Sequence, residues 1–577
     1  MHTHNMRTLK YITVAYFVAA FLFTLYAMAN FPMEKLVNLI FDDAYYYLGV
    51  AQNIAEGNGS TFGNLVETNG YQPLWLVILA SIIYAFSLPK EWAFIAVPLL
   101  VILIKIVALL RLDTDKNADA VGVFFATVLI ILLCPNIFSH GLETSLLLLV
   151  LPLLSRLKDY PEYFAPRICM AYAAIFIVLF LVRLDALAIA GVFGLFILAG
   201  RRKYAFTNLV LTGAVTAFGV LVYFAVNYKL FGTIVPVSGQ AKAIGNKVGE
   251  NLPLMLQYLI ASRLAIGAFI LSMIIRMGLK KESRGPMPFS RELKLTALSS
   301  IVIASYYALF SGWPLWGWYY WPIALVTYFA VAQLISLAVQ LYRQSAGDWK
   351  PKLLAAGAWG FVAYLALLGV RTEMAHETNV FYSMLKKEER PNFTVMNLKL
   401  VNEFFAKAPD GVVAMGDRAG GLGFWLPERF KFFHTEGLVA NKEFIAARKA
   451  GTGVEFLKQM KVKYFVVERE HLWEGKLADG REGHGIVEPV QGLSAHSGLM
   501  LICLPTDAIL YTQSYDKQIR HVYDFEQVTP CPDAFQEKVA ALSGSYGELR
   551  KFSLPYEYAE NNKGDWTLMK FIKSNPF

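Results

Sequence analysis

The sequence predicts a polytopic α-helical membrane protein of about eleven spans, with an extracytoplasmic α/β domain at its C-terminal end. Three observations lead there. The 577 residues are 56% hydrophobic and only 17% charged, with a mean hydropathy of +0.43, whereas a water-soluble chain carries nearer a quarter charged residues. Apolar runs of spanning length recur as far as residue 370 and then stop. The basic residues behind the formal charge of +9 gather in short loops between those runs, which marks membrane topology and excludes nucleic acid binding as their purpose.

The first apolar run, 11–29, follows Arg7 and Lys10 and ends Ala-Met-Ala, the form of a signal-peptidase site. At about 19 residues it exceeds the 7–15 of a signal peptide's apolar core, so an uncleaved first helix is expected. Further spans are expected at 92–110, 118–138, 142–157, 168–182, 184–199, 206–227, 255–275, 295–311, 321–341 and 353–370. One more apolar stretch, 73–88, lies between Pro73 and Pro89, and whether it crosses decides the side of everything after it.

Charge decides that question. If 73–88 stays on one side, loops 111–117, 156–167, 201–203, 276–294 and 343–352 hold seventeen Lys and Arg, against four (Arg183, Lys229, Lys242, Lys247) opposite. The basic side is cytoplasmic, so 73–88 is expected on the outer surface or as a juxtamembrane helix. The N-terminus is then inside. A first outer loop at 30–91, His140-Gly-Leu-Glu143, Arg183-Leu-Asp185, Phe231 to Lys242 and the aromatic cluster Trp313 to Trp321 all face outward. The expected division is 1–371 in the membrane and 372–577 as an extracytoplasmic domain, in an integral protein of the cytoplasmic (inner) membrane.

In that domain a helical pattern at 396–407 precedes strands at 411–417, 431–438 and 462–467, with helices at 441–450 and 453–460 between them, an α/β alternation. Gly420, Gly421 and Gly423 lack dinucleotide-loop spacing. Asp417, His434 and Glu436 are either turn residues or the edge of a sugar site. Cys503 and Cys531 lie on the oxidising side, as a disulfide or as two thiols. Cys134 and Cys169 fall in spans and read as core thiols.

The chemistry-bearing stretch is 41–75. Asp42 and Asp43 stand about a dozen residues past the first apolar run, and charges so near a bilayer are costly. Carboxylates clustered near lipid have raised pKa values, which suits a general base. Behind them come Tyr45 and its two neighbouring tyrosines, then Asn69-Gly-Tyr71-Gln72-Pro-Leu-Trp.

Asp-Asp-Ala-Tyr at 42–45, Asn-Gly-Tyr-Gln-Pro-Leu-Trp at 69–75 and Gly-Leu-Glu at 141–143 resemble the GT-C superfamily. These are multispanning glycosyltransferases that use polyprenyl-phosphate sugars, among them protein O-mannosyltransferases, lipid A aminoarabinose transferases and arabinofuranosyltransferases. The resemblance covers the membrane half and is firmest in the first loop. It implies an inverting transfer of a monosaccharide from a polyprenyl-phosphate donor to an extracytoplasmic glycan, glycolipid or protein. The catalytic base would be Asp42 or Asp43, with Asp42 the first choice. Relatives carry His before Pro-Leu, where this chain has Gln72.

Cations must then neutralise charge on the leaving phosphate, and Lys242, Arg183 and Arg263 are the candidates, Lys242 first. Glu143, Asp185, Tyr45, Asn69, Tyr71, Gln72, His140, Trp318 and Tyr319 are candidates for the acceptor side or for support of the site. No His/Cys cluster has ligand spacing, so a divalent cation would rest on Asp42 and Asp43 alone. A transporter or flippase of lipid-linked sugars, in which the carboxylates bind substrate or a proton, is the alternative reading. A scaffold for envelope assembly is a third.

Overall fold

The computed structural model describes residues 3–113, 117–155, 157–200, 203–244, 248–249, 252–279, 286–311, 313, 315–344, 349–385, 393–468, 472–489, 498–515 and 518–542. Lys116, Arg156, Arg201, Arg202, Lys247, Lys280, Lys281 and Arg284 of the loop count lie outside these, as does the expected domain's end past residue 542.

The protein is a helical bundle carrying a mixed α/β domain. Among the described residues six helices are long and apolar enough to cross a membrane: Met6–Asn30, Lys90–Leu110, Ala205–Phe231, Ser290–Phe310, Gly317–Gln344 and Trp349–Ala375. The run expected as one span at 255–275 is a bent pair, Leu254–Ala261 and Arg263–Gly278, meeting at 48°. Ala118–Leu133, Glu143–Leu154, Pro166–Val182 and Leu184–Ala199 are apolar but shorter. Two of these stop short of the expected 138 and 157. Helix Ala118–Leu133 ends at Cys134 because Pro135 starts a new turn, Pro135–Phe138.

Gly317–Gln344 is the central pole, almost wholly buried among the others, whereas Ala205–Phe231 and Trp349–Ala375 present most of their surface outward. Within the bundle, Lys105 Nζ meets Glu373 Oε1 at 3.3 Å and donates to Ser139 Oγ at 2.7 Å. The apolar stretch at 73–88 forms a separate helix, Pro73–Phe86. Trp75 is fully buried and donates its indole N–H to the Gly141 carbonyl at 3.0 Å.

The C-terminal domain holds strands β1 Gly411–Met415, β2 Phe430–His434, β3 Val462–Glu468, β4 Leu472–Lys476, β5 Glu482–Glu488, β6 Met500–Pro505, β7 Ile509–Tyr515 and β8 Gln518–Asp524. One sheet runs β2-β1-β3-β8-β7, with β1, β2 and β3 parallel and β8 antiparallel to β3; the other is β4-β5-β6. Strand alternation sends Val413 and Met415 into the core shared with the bundle, and Ala414 into the domain's own core with Phe433 and Phe465. Cys503 and Cys531 form a disulfide that ties β6 to the segment after β8.

The carboxyl ends of β1 and β2 lie against the segment that precedes helix Pro73–Phe86. Phe432 donates its N–H to the Gly63 carbonyl at 2.9 Å. A Cβ on Gly70 would stand 1.8 Å from the Leu438 carbonyl oxygen, so only glycine lets these two backbones meet.

Candidate functional site

Phe41 is extended and Asp42 opens helix Asp42–Ala55, so both aspartates occupy its first turn, where the helix dipole favours negative charge. One step along a helix turns about 100°, and this step separates their fates. The Asp42 carboxylate turns to the C-terminal domain. Its two oxygens accept the backbone N–H groups of Gly420 and Gly421, each at 3.0 Å, and Tyr46 donates to it at 3.4 Å. Burial pushes its carboxyl up to about 6 despite those bonds.

Asp43 faces a cavity of about 490 Å³ and also lines a smaller one of about 140 Å³. Tyr46, Lys242, Tyr307, Ser311, Trp318, Tyr319 and Leu438 line both, so Asp43 stands where the two meet. Burial pushes its carboxyl up to about 7, the positive charge of Lys242 working against the shift.

The polar end of the larger cavity is built from turns distant in sequence. Arg183 follows helix Pro166–Val182 and forks onto Asp185, Nε to Oδ1 and Nη2 to Oδ2, both at 3.0 Å. Its Nη1 meets Glu143 Oε1 at 2.6 Å. Tyr47 donates to Glu143 Oε2 at 2.9 Å, while Tyr307 and Trp321 donate to Asp185 at 2.8 and 3.3 Å. Gln72 accepts the Leu184 N–H at 3.1 Å.

Lys242 closes helix Val237–Lys242, and its ammonium donates to the Tyr319 hydroxyl and lies 5.1 Å from that ring's centroid. Arg183 is thus neutralised by two carboxylates, whereas Lys242 has a phenol and the field of Asp43. At its other end the cavity is apolar. Val235, Val302, Tyr306 and Phe310 line it and are also about half exposed, with Ala188 and Ile303 between them.

Several expected site residues serve elsewhere. Arg263 sits at the bend of the broken helix, donates to the Ile260 carbonyl at 3.4 Å, and is absent from the lining of either cavity. It therefore lies apart from the two cavities that Asp43 and Lys242 line. Tyr45 donates to the Val37 carbonyl at 2.9 Å and stacks on Phe94. His140 stacks on Phe41 at 4.5 Å and meets His376 at 3.2 Å, behind the site. Asn69 accepts the Val237 N–H at 2.9 Å and so anchors the helix that carries Lys242. Tyr71, Gln72, Glu143, Asp185, Trp318 and Tyr319 line the larger cavity.

Residues 415–439 were undervalued by sequence reading. Asp417, Arg418 and Glu436 line the smaller cavity, and His434 accepts or donates to the Tyr46 hydroxyl at 3.0 Å. The signal was present as polar residues just past two strand ends, where open α/β sheets bind ligands. Among the described residues no group of three or more His, Cys, Asp or Glu is placed to hold a metal ion.

No protein-family model matches the sequence, and no curated protein matches it either. Solved structures that resemble it include the following two. The crystal structure of ArnT from Cupriavidus metallidurans bound to undecaprenyl phosphate is 12% identical, with a TM-score of 0.46 over 90% of this chain and 99% of that one. The Archaeoglobus fulgidus oligosaccharyltransferase, in complex with Zn and sulfate, is 14% identical, with a TM-score of 0.41 over 78% and 72%.

Proposed function

We propose that the chain is an inverting GT-C-type glycosyltransferase that moves a monosaccharide from a polyprenyl-phosphate donor to an extracytoplasmic acceptor, with Asp43 as the base. The observation that carries this reading is the shape of the larger cavity. A polar end with Asp43 and Lys242 passes into an apolar mouth between Leu187–Ala199 and Ser290–Phe310, which suits a charged head on a lipid tail.

The acceptor hydroxyl would lose its proton to Asp43 as its oxygen bonds to the anomeric carbon. The bond from that carbon to the phosphate oxygen breaks, and the electron pair leaves with polyprenyl phosphate. The leaving group is already a stable anion, so it needs charge neutralisation, which Lys242 supplies, rather than a general acid. Arg183, held between Glu143 and Asp185, fixes the wall instead. Asp42 cannot share the base role while both its oxygens are held by Gly420 and Gly421.

In this reading residues 1–371 form the catalytic half and 372–577 an extracytoplasmic domain, with the N-terminus inside and the protein in the cytoplasmic membrane. Purified protein in lipid nanodiscs, supplied with polyprenyl-phosphate sugars, tests the proposal. Asp43→Asn should lower transfer by roughly two to four orders of magnitude, the usual contribution of a general base. Unchanged turnover in that variant would overturn it.

A further inference from the structure

The smaller cavity has walls unlike those of the larger one. Phe41, Trp313, Trp316, Trp318 and Phe393 supply flat apolar faces, and Trp316 and Trp318 stack at 6.0 Å between centroids. Against them stand carboxylates from both halves of the molecule: Asp42 and Asp43 from the membrane half, and Asp417 and Glu436 from the C-terminal domain. Glu436 is 2% exposed, and its Oε1 has no hydrogen-bond partner. Its Oε2 lies 3.8 Å from His434 Nε2, beyond hydrogen-bond reach.

A buried carboxyl oxygen without a partner is costly and marks a place where a ligand group is missing. Aromatic faces beside carboxyls bind saccharides: the ring's C–H face packs on the indole and its hydroxyls donate to the oxygens. Among the described residues the lining of this cavity holds two cations, Arg418 and Lys242. Arg418 bridges Asp417 and Glu468, both at 3.4 Å, and Lys242 is shared with the larger cavity. A phosphate group would meet four carboxyl groups, with the shared Lys242 as the one cation not paired to a carboxylate by an ion pair.

We propose that this smaller cavity is the acceptor subsite, that it takes an uncharged saccharide ring and rejects a phosphorylated one, and that Glu436 binds an acceptor hydroxyl beside Asp43. This rests on the glycosyltransferase reading and deepens it, since it assigns acceptor recognition to the C-terminal domain. Glu436 follows β2, whose position is set by the contact of Phe432 with Gly63, so the two halves must be docked for the subsite to exist.

The test uses full-length protein in nanodiscs and the variant Glu436→Gln, which keeps volume and shape. With a polyprenyl-phosphate sugar donor, methyl glycosides and their 6-phosphates serve as acceptors, and donor hydrolysis by water is followed separately. Glu436→Gln should raise KM for the methyl glycoside about tenfold, with kcat and hydrolysis within about twofold of the parent. The 6-phosphates should be at least tenfold poorer acceptors than the uncharged glycosides.

A second arm needs no turnover. Trp316→Cys is labelled with a thiol reagent, and uncharged glycosides, but not their phosphates, should slow the labelling. An unchanged acceptor KM in Glu436→Gln, equal use of the phosphates, or protection by an acceptor peptide alone would each overturn the proposal. Loss of the Asp43 requirement for donor hydrolysis would instead overturn the parent reading, while glycoside protection of the cysteine would still support the subsite.

Discussion

Asp42 and Asp43 are neighbours in sequence with separate surroundings, and their variants should separate as well. Asp42→Ala removes the acceptor for two buried N–H groups and should destabilise the protein by about 1–3 kcal/mol, read as a fall in melting temperature. Asp43→Asn should remove transfer with little loss of fold. As the base, Asp43 must be ionised, so transfer should rise as pH increases through about 7. Lys242 holds that value down, so Lys242→Met should move the rising limb to higher pH as well as weaken donor use. A pH profile unchanged in the Lys242 variant would separate the two groups. The tyrosines carry the same lesson. Sequence reading singled out Tyr45, which turns away to Val37, while Tyr46 and Tyr47 reach Asp42 and Glu143. Residue types were legible there, but which of three successive positions faces the cavity depends on the helix's rotation.

Among the elements, the contact between the first outer loop and the ends of β1 and β2 decides most. It is made by glycines that admit no side chain. A Cβ on Gly420 would come within 2.3 Å of the Asp42 carbonyl oxygen, and one on Gly63 within 2.2 Å of that of Phe432. Gly420→Ala and Gly70→Ala should therefore lower both transfer and melting temperature. Gly213→Ala, inside helix Ala205–Phe231 with open space around it, should be neutral or slightly stabilising. The sequence displayed these glycines but not their counterparts, because the partners lie more than 350 residues away in the chain, Asp42 against Gly420. Helix Pro73–Phe86 was readable from its apolar run and from Pro73, which opens it. The kink at Arg263 was not, since no proline or glycine marks it.

For the whole molecule, buried carboxyls make stability depend on pH. Asp43 titrates near 7 when folded and near 4 when unfolded, so the folded state binds the extra proton. Its contribution is fully present below about pH 4 and is lost as pH rises through about 7. Burial and the Asp417 charge raise Glu488 to about 8, which extends the decline. Melting temperature should fall between pH 5 and 8, and Asp43→Asn should lessen that fall; an equal fall in both proteins would exclude Asp43 as a source.

By itself the sequence showed where the apolar runs lie, that the basic residues gather in short segments between them, and that two adjacent carboxylates follow the first run. Those follow from composition and spacing, which are local along the chain. Only the tertiary structure decided that Asp42 fastens the C-terminal domain while Asp43 faces the cavities, that Arg183 is neutralised and Lys242 is not, and that Glu436 reaches the same site. Each of these depends on which way a side chain points and on partners distant in sequence, and both are set by packing rather than by residue type.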